Sequence, residues 1–148
     1  MIQSVNRASC AALLAGALAV LGLGTDGAAA RADEPRAEAT VVPLLSKDLA
    51  GFPDKEAVMV TVEYPPGGSS RPHRHDANVF VYVLSGTLRM QVDGQEAVTL
   101  KPGETFYESP NDVHRVSANA SATEPVKFLV VMVKDKGKPS TRPAENTP

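Results

Sequence analysis

The amino-acid sequence predicts an all-β sandwich or barrel of roughly eight or nine short strands. Three observations lead there. The apolar runs are short and alternate with polar residues over a β-branched background. Each run is bounded by Gly, Pro, Asn or Asp, the residues of turns. No stretch keeps a helical period. In chain order, "TVVPLL" from Thr40 opens the pattern and "AVMVTVEY" (Ala57 to Tyr64) alternates. "SKDLAGFPDKE" between them reads as a loop with at most one helical turn. "VFVYVL", "TLRMQVD", "AVTL", "TFYE", "HRVSA" and "VKFLVVMV" follow. Ser85-Gly86 separates two of these runs and Asp93-Gly94 the next two, which predicts two tight hairpins.

The chain has 148 residues, room for one domain and little more. Arg7 precedes the apolar run Ala11 to Gly24, too short to span a bilayer comfortably, and Ala30-Arg31-Ala32 offers an A-x-A site before Asp33. Residues 1–32 are therefore expected to be a Sec-type signal peptide cleaved after Ala32, and the compartment to be periplasmic or extracellular. Cys10 stands ahead of the apolar run, where a lipoprotein cysteine would not sit. Without this segment the chain loses two of 15 basic and one of 17 acidic side chains, leaving 13 against 16 and a formal charge of −3. It also loses its only cysteine, so no disulfide can support the fold. No basic block appears, which argues against nucleic acid, and nothing after residue 32 suggests a membrane span. Residues 33–39 read as a flexible lead-in, 40–135 as the domain, and 136–148, with no large apolar residue, as a disordered tail.

Chemistry centres on the only three histidines, His73, His75 and His114. Residues two apart in a strand point to the same face, so His73 and His75 look inward together or outward together. Inward, they aim two neutral imidazoles at one point, as a metal chelate requires. His114 follows a strand and a Pro-Asn-Asp turn, so all three stand at the ends of β segments. On these residues alone, a solvated or hydrogen-bonded pair of polar side chains at a strand entrance is the commoner reading of H-x-H.

The surrounding pattern resembles the cupin superfamily, small jelly-roll β-barrels that hold a metal inside. The first family motif places a glycine, H-x-H, a glutamate and a second glycine in order, and Gly67, His73, His75 and Gly86 fall at its spacings. The second motif sets a histidine eleven residues after a glycine, as Gly103 and His114 do; Pro110 and Asn119 are each shifted by one from the usual positions. The resemblance covers residues 58–133 and implies a single jelly-roll barrel of roughly eight to ten short antiparallel strands. It also implies one divalent first-row transition metal (Fe, Mn, Ni, Cu or Zn) on the three histidines. One departure stands out. The family's metal-binding glutamate falls at Val79, or at Phe80 in the alternative register, and neither side chain can ligate. Three readings follow: a three-histidine site with open positions, a carboxylate supplied from elsewhere, or a barrel that has lost its metal and binds an organic ligand. Glu108, on the strand leading to His114, is the first candidate for the missing carboxylate; Asn78 and Asp76 have the wrong strand parity relative to His75.

The function implied is binding or conversion of a small organic molecule. An enzyme would be a metal-dependent oxygenase, isomerase or lyase, with Glu108, Tyr107 and Tyr82 as available acids or bases. The alternative is a non-catalytic module that binds a small ligand or buffers metal. Arg89 and Arg115 are expected to face water, and Met59, Met90 and Met132 to fill core. The family likeness further implies a homodimer, with "TVVPLL" as the pairing segment.

Overall fold

The computed structural model describes residues 38–144 except Asn111. The expected signal peptide, most of the lead-in and the last four residues lie outside the described residues. Ten strands form among the described residues, and no helix. They are β1 (Thr40–Asp48), β2 (Lys55–Tyr64), β3 (His73–Arg74), β4 (Ala77–Ser85), β5 (Leu88–Val92), β6 (Val98–Leu100), β7 (Thr105–Glu108), β8 (Val113–Asn119), β9 (Val126–Asp135) and β10 (Arg142–Pro143). Two five-stranded antiparallel sheets result, in the orders β1-β2-β9-β4-β7 and β10-β3-β8-β5-β6. This is the all-β jelly roll that the sequence predicts.

Alternation drives the assembly. Along β4, Ala77, Val79, Val81 and Val83 are buried while Phe80, Tyr82 and Leu84 are exposed. In β9, Val126, Phe128, Val130 and Met132 point inward in the same way. Leu88 and Met90 of β5 meet them from the second sheet. Burying each such side chain is worth about 1.5–3 kcal/mol, which fixes the register because a one-residue slip would turn every one of them to water.

Two expectations are corrected. Ser85-Gly86 does not close a hairpin, because β4 and β5 belong to different sheets; it is the corner between them. Gly86 has φ +76°, and a Cβ there would lie 2.3 Å from the Pro125 carbonyl oxygen, so the corner requires glycine. Asp93-Gly94 does lie in the connection between paired strands, β5 and β6. The second correction concerns the tail. Residues 136–144 are ordered, and β10 adds to the edge of the second sheet beside β3. Their composition carries little apolar surface, but backbone hydrogen bonds, side-chain donors from His75 and Lys134, and the Lys136–Asp48 and Arg142–Asp76 ion pairs hold them instead.

Candidate metal centre

His73 opens β3 and is the cross-strand partner of His114 in β8. His75 follows one residue after β3 ends, so the two-residue period sends it to the same side. The ring centroids of His73 and His75 are 4.9 Å apart and those of His73 and His114 5.0 Å. One nitrogen of each ring lies within 4.8 Å of the others, close enough to hold a single ion. His75 and His114 are buried, and His73 is partly so.

Hydrogen bonding orients two of these rings. His73 Nδ1 lies 2.7 Å from the Arg71 carbonyl oxygen, and His75 Nδ1 lies 2.5 Å from that of Ser140. A carbonyl only accepts, so each Nδ1 carries the proton and each Nε2 keeps its lone pair for a ligand. Burial holds the His73 imidazole below its ordinary value, with the neighbouring His114 and His75 adding to the effect, and so favours the neutral form that coordinates.

A buried carboxylate sits across the strand pair from Val79, the position where the family places its glutamate. In β7, Glu108 is the direct partner of Val79 in β4, and adjacent partners in a sheet present their side chains on one face. Glu108 is 2% exposed, with Oε1 3.2 Å from His114 Nδ1 and Oε2 4.0 Å from His75 Nε2. The contact to His114 is close but not aligned as a hydrogen bond, and both ring nitrogens of His114 and Oε2 of Glu108 are left without a partner. Burial pushes the Glu108 carboxyl upward, but the surrounding histidines outweigh it and hold the group below its ordinary value. A buried carboxylate with one unpartnered oxygen, beside an imidazole with two unpartnered nitrogens, is costly without a cation between them. These residues fit a divalent metal ion.

Beside this cluster opens a cavity of about 880 Å³. Its walls are mainly apolar, from Val60, Val62, Val79, Val81, Phe128, Val130 and Met132 among others. The polar exceptions include Tyr64, whose hydroxyl lies 2.5 Å from Ser70 Oγ and 2.8 Å from Ser117 Oγ. Burial raises the Tyr64 phenol above its usual value, so it stays protonated. Sequence reading did not single out Tyr64, although the signal was present: it continues the inward series Val58, Val60, Val62 of β2.

Other expectations resolve by parity. Tyr82 and Tyr107 do not line the cavity; they are 43% and 49% exposed on the outer face of the first sheet. Their strands turn Val81 and Glu108 inward, which leaves the tyrosines outward. Tyr107 donates to Asn78 Oδ1 on that same face (2.7 Å), and Asp76 pairs with Arg142, so neither Asn78 nor Asp76 joins the cluster. Arg89 is exposed, and Arg115 pairs with Asp93 at the surface. Met90 and Met132 are buried in the core; Met59 is only partly buried.

The family model for the cupin domain matches residues 60–132, across both histidine motifs. The chain belongs to the cupin superfamily. Among characterised relatives, this cupin is 29% identical over 62 residues to the pectin degradation protein KdgF of Dickeya dadantii; the match takes in 41% of the chain and 56% of that protein. It therefore spans little more than half of that relative's length. Among solved structures, the cupin resembles a cupin-2 domain protein of Rhodospirillum rubrum with TM-score 0.59 and 21% identity, covering 75% of this chain and 68% of that one. The polyketide cyclase RemF of Streptomyces resistomycificus matches with TM-score 0.56 and 25% identity, over 74% and 73% of the two chains.

Proposed function

We propose that this cupin binds one divalent first-row transition metal through His73, His75 and His114, with Glu108 as fourth donor, and converts a small organic molecule held in the adjoining cavity. The observation that carries this reading is the meeting of three imidazoles and a buried carboxylate, with unpartnered atoms, at a mainly apolar cavity. Iron, manganese, nickel, copper and zinc all suit such donors. When bound, the metal would supply Lewis-acid chemistry at an oxygen of the substrate or, with O₂ as co-substrate, oxygen activation beside it. The protein's own residues do the rest. The carbonyls of Arg71 and Ser140 hold two ligand rings in the coordinating tautomer. Valine, methionine and phenylalanine walls exclude water and select an apolar skeleton. The Tyr64–Ser70–Ser117 hydroxyls can donate to and accept from a polar end of that molecule. Oxygenation, isomerisation and elimination are the reaction classes open to it, and the likeness to a polyketide cyclase supports a small carbon-skeleton substrate.

One observation favours a non-catalytic binding module as the second reading. Among the described residues Glu108 is the only carboxylate that lines the cavity, so a metal that takes it leaves none of them as a free carboxylate base there. The two are separated by loading the protein with each metal in turn and incubating it with small oxygen-bearing organic molecules, with and without air. Metal-dependent product by mass spectrometry supports the enzyme; saturable binding without product supports the module.

Two further parts of the proposal concern setting. The charged start, apolar run and A-x-A site of residues 1–32 support export to the periplasm or beyond. The edge strand β1, exposed along its length with Val41, Val42, Leu44 and Leu45 about half in solvent, supports a homodimer paired there. Light scattering at micromolar concentration should give twice the chain mass; a monomer would remove the dimer from the account.

A further inference from the structure

His73 and His75 differ in what holds them. The acceptor for His73 Nδ1 is the carbonyl of Arg71, two residues away on the same stretch of chain. The acceptor for His75 Nδ1 is the carbonyl of Ser140, 65 residues away, in the C-terminal segment. That segment is held by few anchors. Two residues of β10 pair with β3, opposite His73 and Arg74. The Ala144 amide donates to the Pro72 carbonyl at 3.2 Å, and Arg142 Nη2 lies 2.5 Å from Asp76 Oδ1, the residue next to His75. Ser140, Thr141 and Ala144 also form part of the cavity wall.

We propose that residues 139–144 are a positioning element of the metal centre, which sets the tautomer of His75 through the Ser140 carbonyl and walls the cavity while docked. The physical reason is the choice imidazole makes. With the carbonyl in place, the proton stays on Nδ1 and Nε2 faces the cluster with a lone pair. With the segment undocked, water competes at Nδ1, both tautomers become populated, and the ring loses one restraint on its orientation. Part of the metal's binding energy is then spent on ordering the ring. Metal affinity is thereby coupled to docking of a two-residue edge strand. The coupling is reciprocal, so the metal must in turn strengthen docking. This inference rests on the metal reading above, and goes beyond it by assigning a role to the tail.

The test compares the full chain with a chain ending at Lys138, each titrated with Co(II) against a competing chelator while the visible ligand-field bands are recorded. The expected result is a short chain that keeps its β-sheet circular dichroism but binds Co(II) about 10–100-fold more weakly, with altered bands. A purely structural tail would lower the melting temperature and leave the bands unchanged. Equal affinity and identical bands in the two chains overturn the proposal. Should the short chain not fold, the full-length variant Arg142→Ala/Ala144→Pro, which removes the ion pair and the Ala144 donor, decides the matter: weaker binding with shifted bands supports the role, and unchanged values overturn it. A full chain that binds no Co(II) defeats the metal reading and this inference with it. A full chain that binds, beside an indifferent truncation, defeats this inference alone. Hydrogen exchange adds a reading of the reverse coupling: Co(II) should slow exchange at the Ala144 amide of the full chain.

Discussion

The two faces of the first sheet carry opposite chemistry on the same strands. Inward from β4 and β7 stand Val79, Val81 and Glu108, against the histidines and the cavity. Outward stand Phe80, Tyr82 and Tyr107, in solvent, with Phe80 and Tyr107 ring centroids 5.3 Å apart. Neighbouring residues, such as Tyr107 and Glu108, thus have unrelated roles. On these strands, parity decides which side chains meet the cavity before residue type does. The same geometry is what would let Glu108 serve a site whose usual glutamate position holds Val79. A directly opposed pair places its Cβ atoms about 4.5–5.5 Å apart, so Glu108 stands one ladder rung from Val79 and on the same face.

The strongest way to break this comparison is to remove the inward carboxylate. Glu108→Ala should weaken metal binding by at least about 100-fold, the upper end of what outer-shell changes cost elsewhere. The metal-free form should also lose stability at neutral pH, since the histidines hold the folded carboxyl below its ordinary value and the truncation removes that contribution. Chelator competition and thermal melts of the apoprotein check the two halves. An exchange sharpens the point: Val79→Glu with Glu108→Val should return metal affinity to within about tenfold of wild type, a gap of roughly 1.4 kcal/mol. Failure of the exchange, beside loss in the single variant, would mean that the site reads the strand and not the face.

Smaller effects follow. Tyr64→Phe removes a buried hydroxyl bonded to two serines and should cost about 1 kcal/mol in urea unfolding. Acid should destabilise the metal-free protein in a defined direction. The folded value of His73 lies below 6.5, so the unfolded chain binds more protons there; the stability it contributes is present above about pH 6.5 and is lost as pH falls through the window beneath. Glu108, held below 4.5, adds a second loss at lower pH with the same sign. Melting temperatures of apoprotein at stepped pH should decline accordingly. On the outer face, Tyr82→Phe and Tyr107→Phe should change stability by no more than about 0.5 kcal/mol and leave metal content alone.

How much of this was legible depends on which interactions do the holding. The inward pairing of His73 with His75 follows from a two-residue period, and the loss of the usual ligand at Val79 follows from motif spacing. Glu108 could be singled out because a strand that ends before a candidate metal histidine can point into the same cavity, and Glu108 does line it. The tyrosines misled because a residue type suited to acid–base work says nothing about its face; counting from buried Val79 would have placed Tyr82 outside. Tyr64 was readable in the alternation of β2 but sits just before Pro65-Pro66, where the run ends. The tail was not readable at all. Its docking relies on hydrogen bonds to its backbone and two ion pairs, and neither leaves a pattern in composition. Nor could Ser85-Gly86 reveal that its flanking strands part to different sheets, a choice made by long-range pairing.

The central claim is that His73, His75, His114 and Glu108 form one metal centre. Its most direct test is elemental analysis of protein purified without chelator, beside a His73→Ala/His75→Ala variant prepared in parallel and shown to be folded. The account predicts about one first-row transition metal per chain in the wild type and essentially none in the variant. No metal in either protein, after reconstitution with each candidate ion, would contradict it and leave a barrel that binds organic ligands alone.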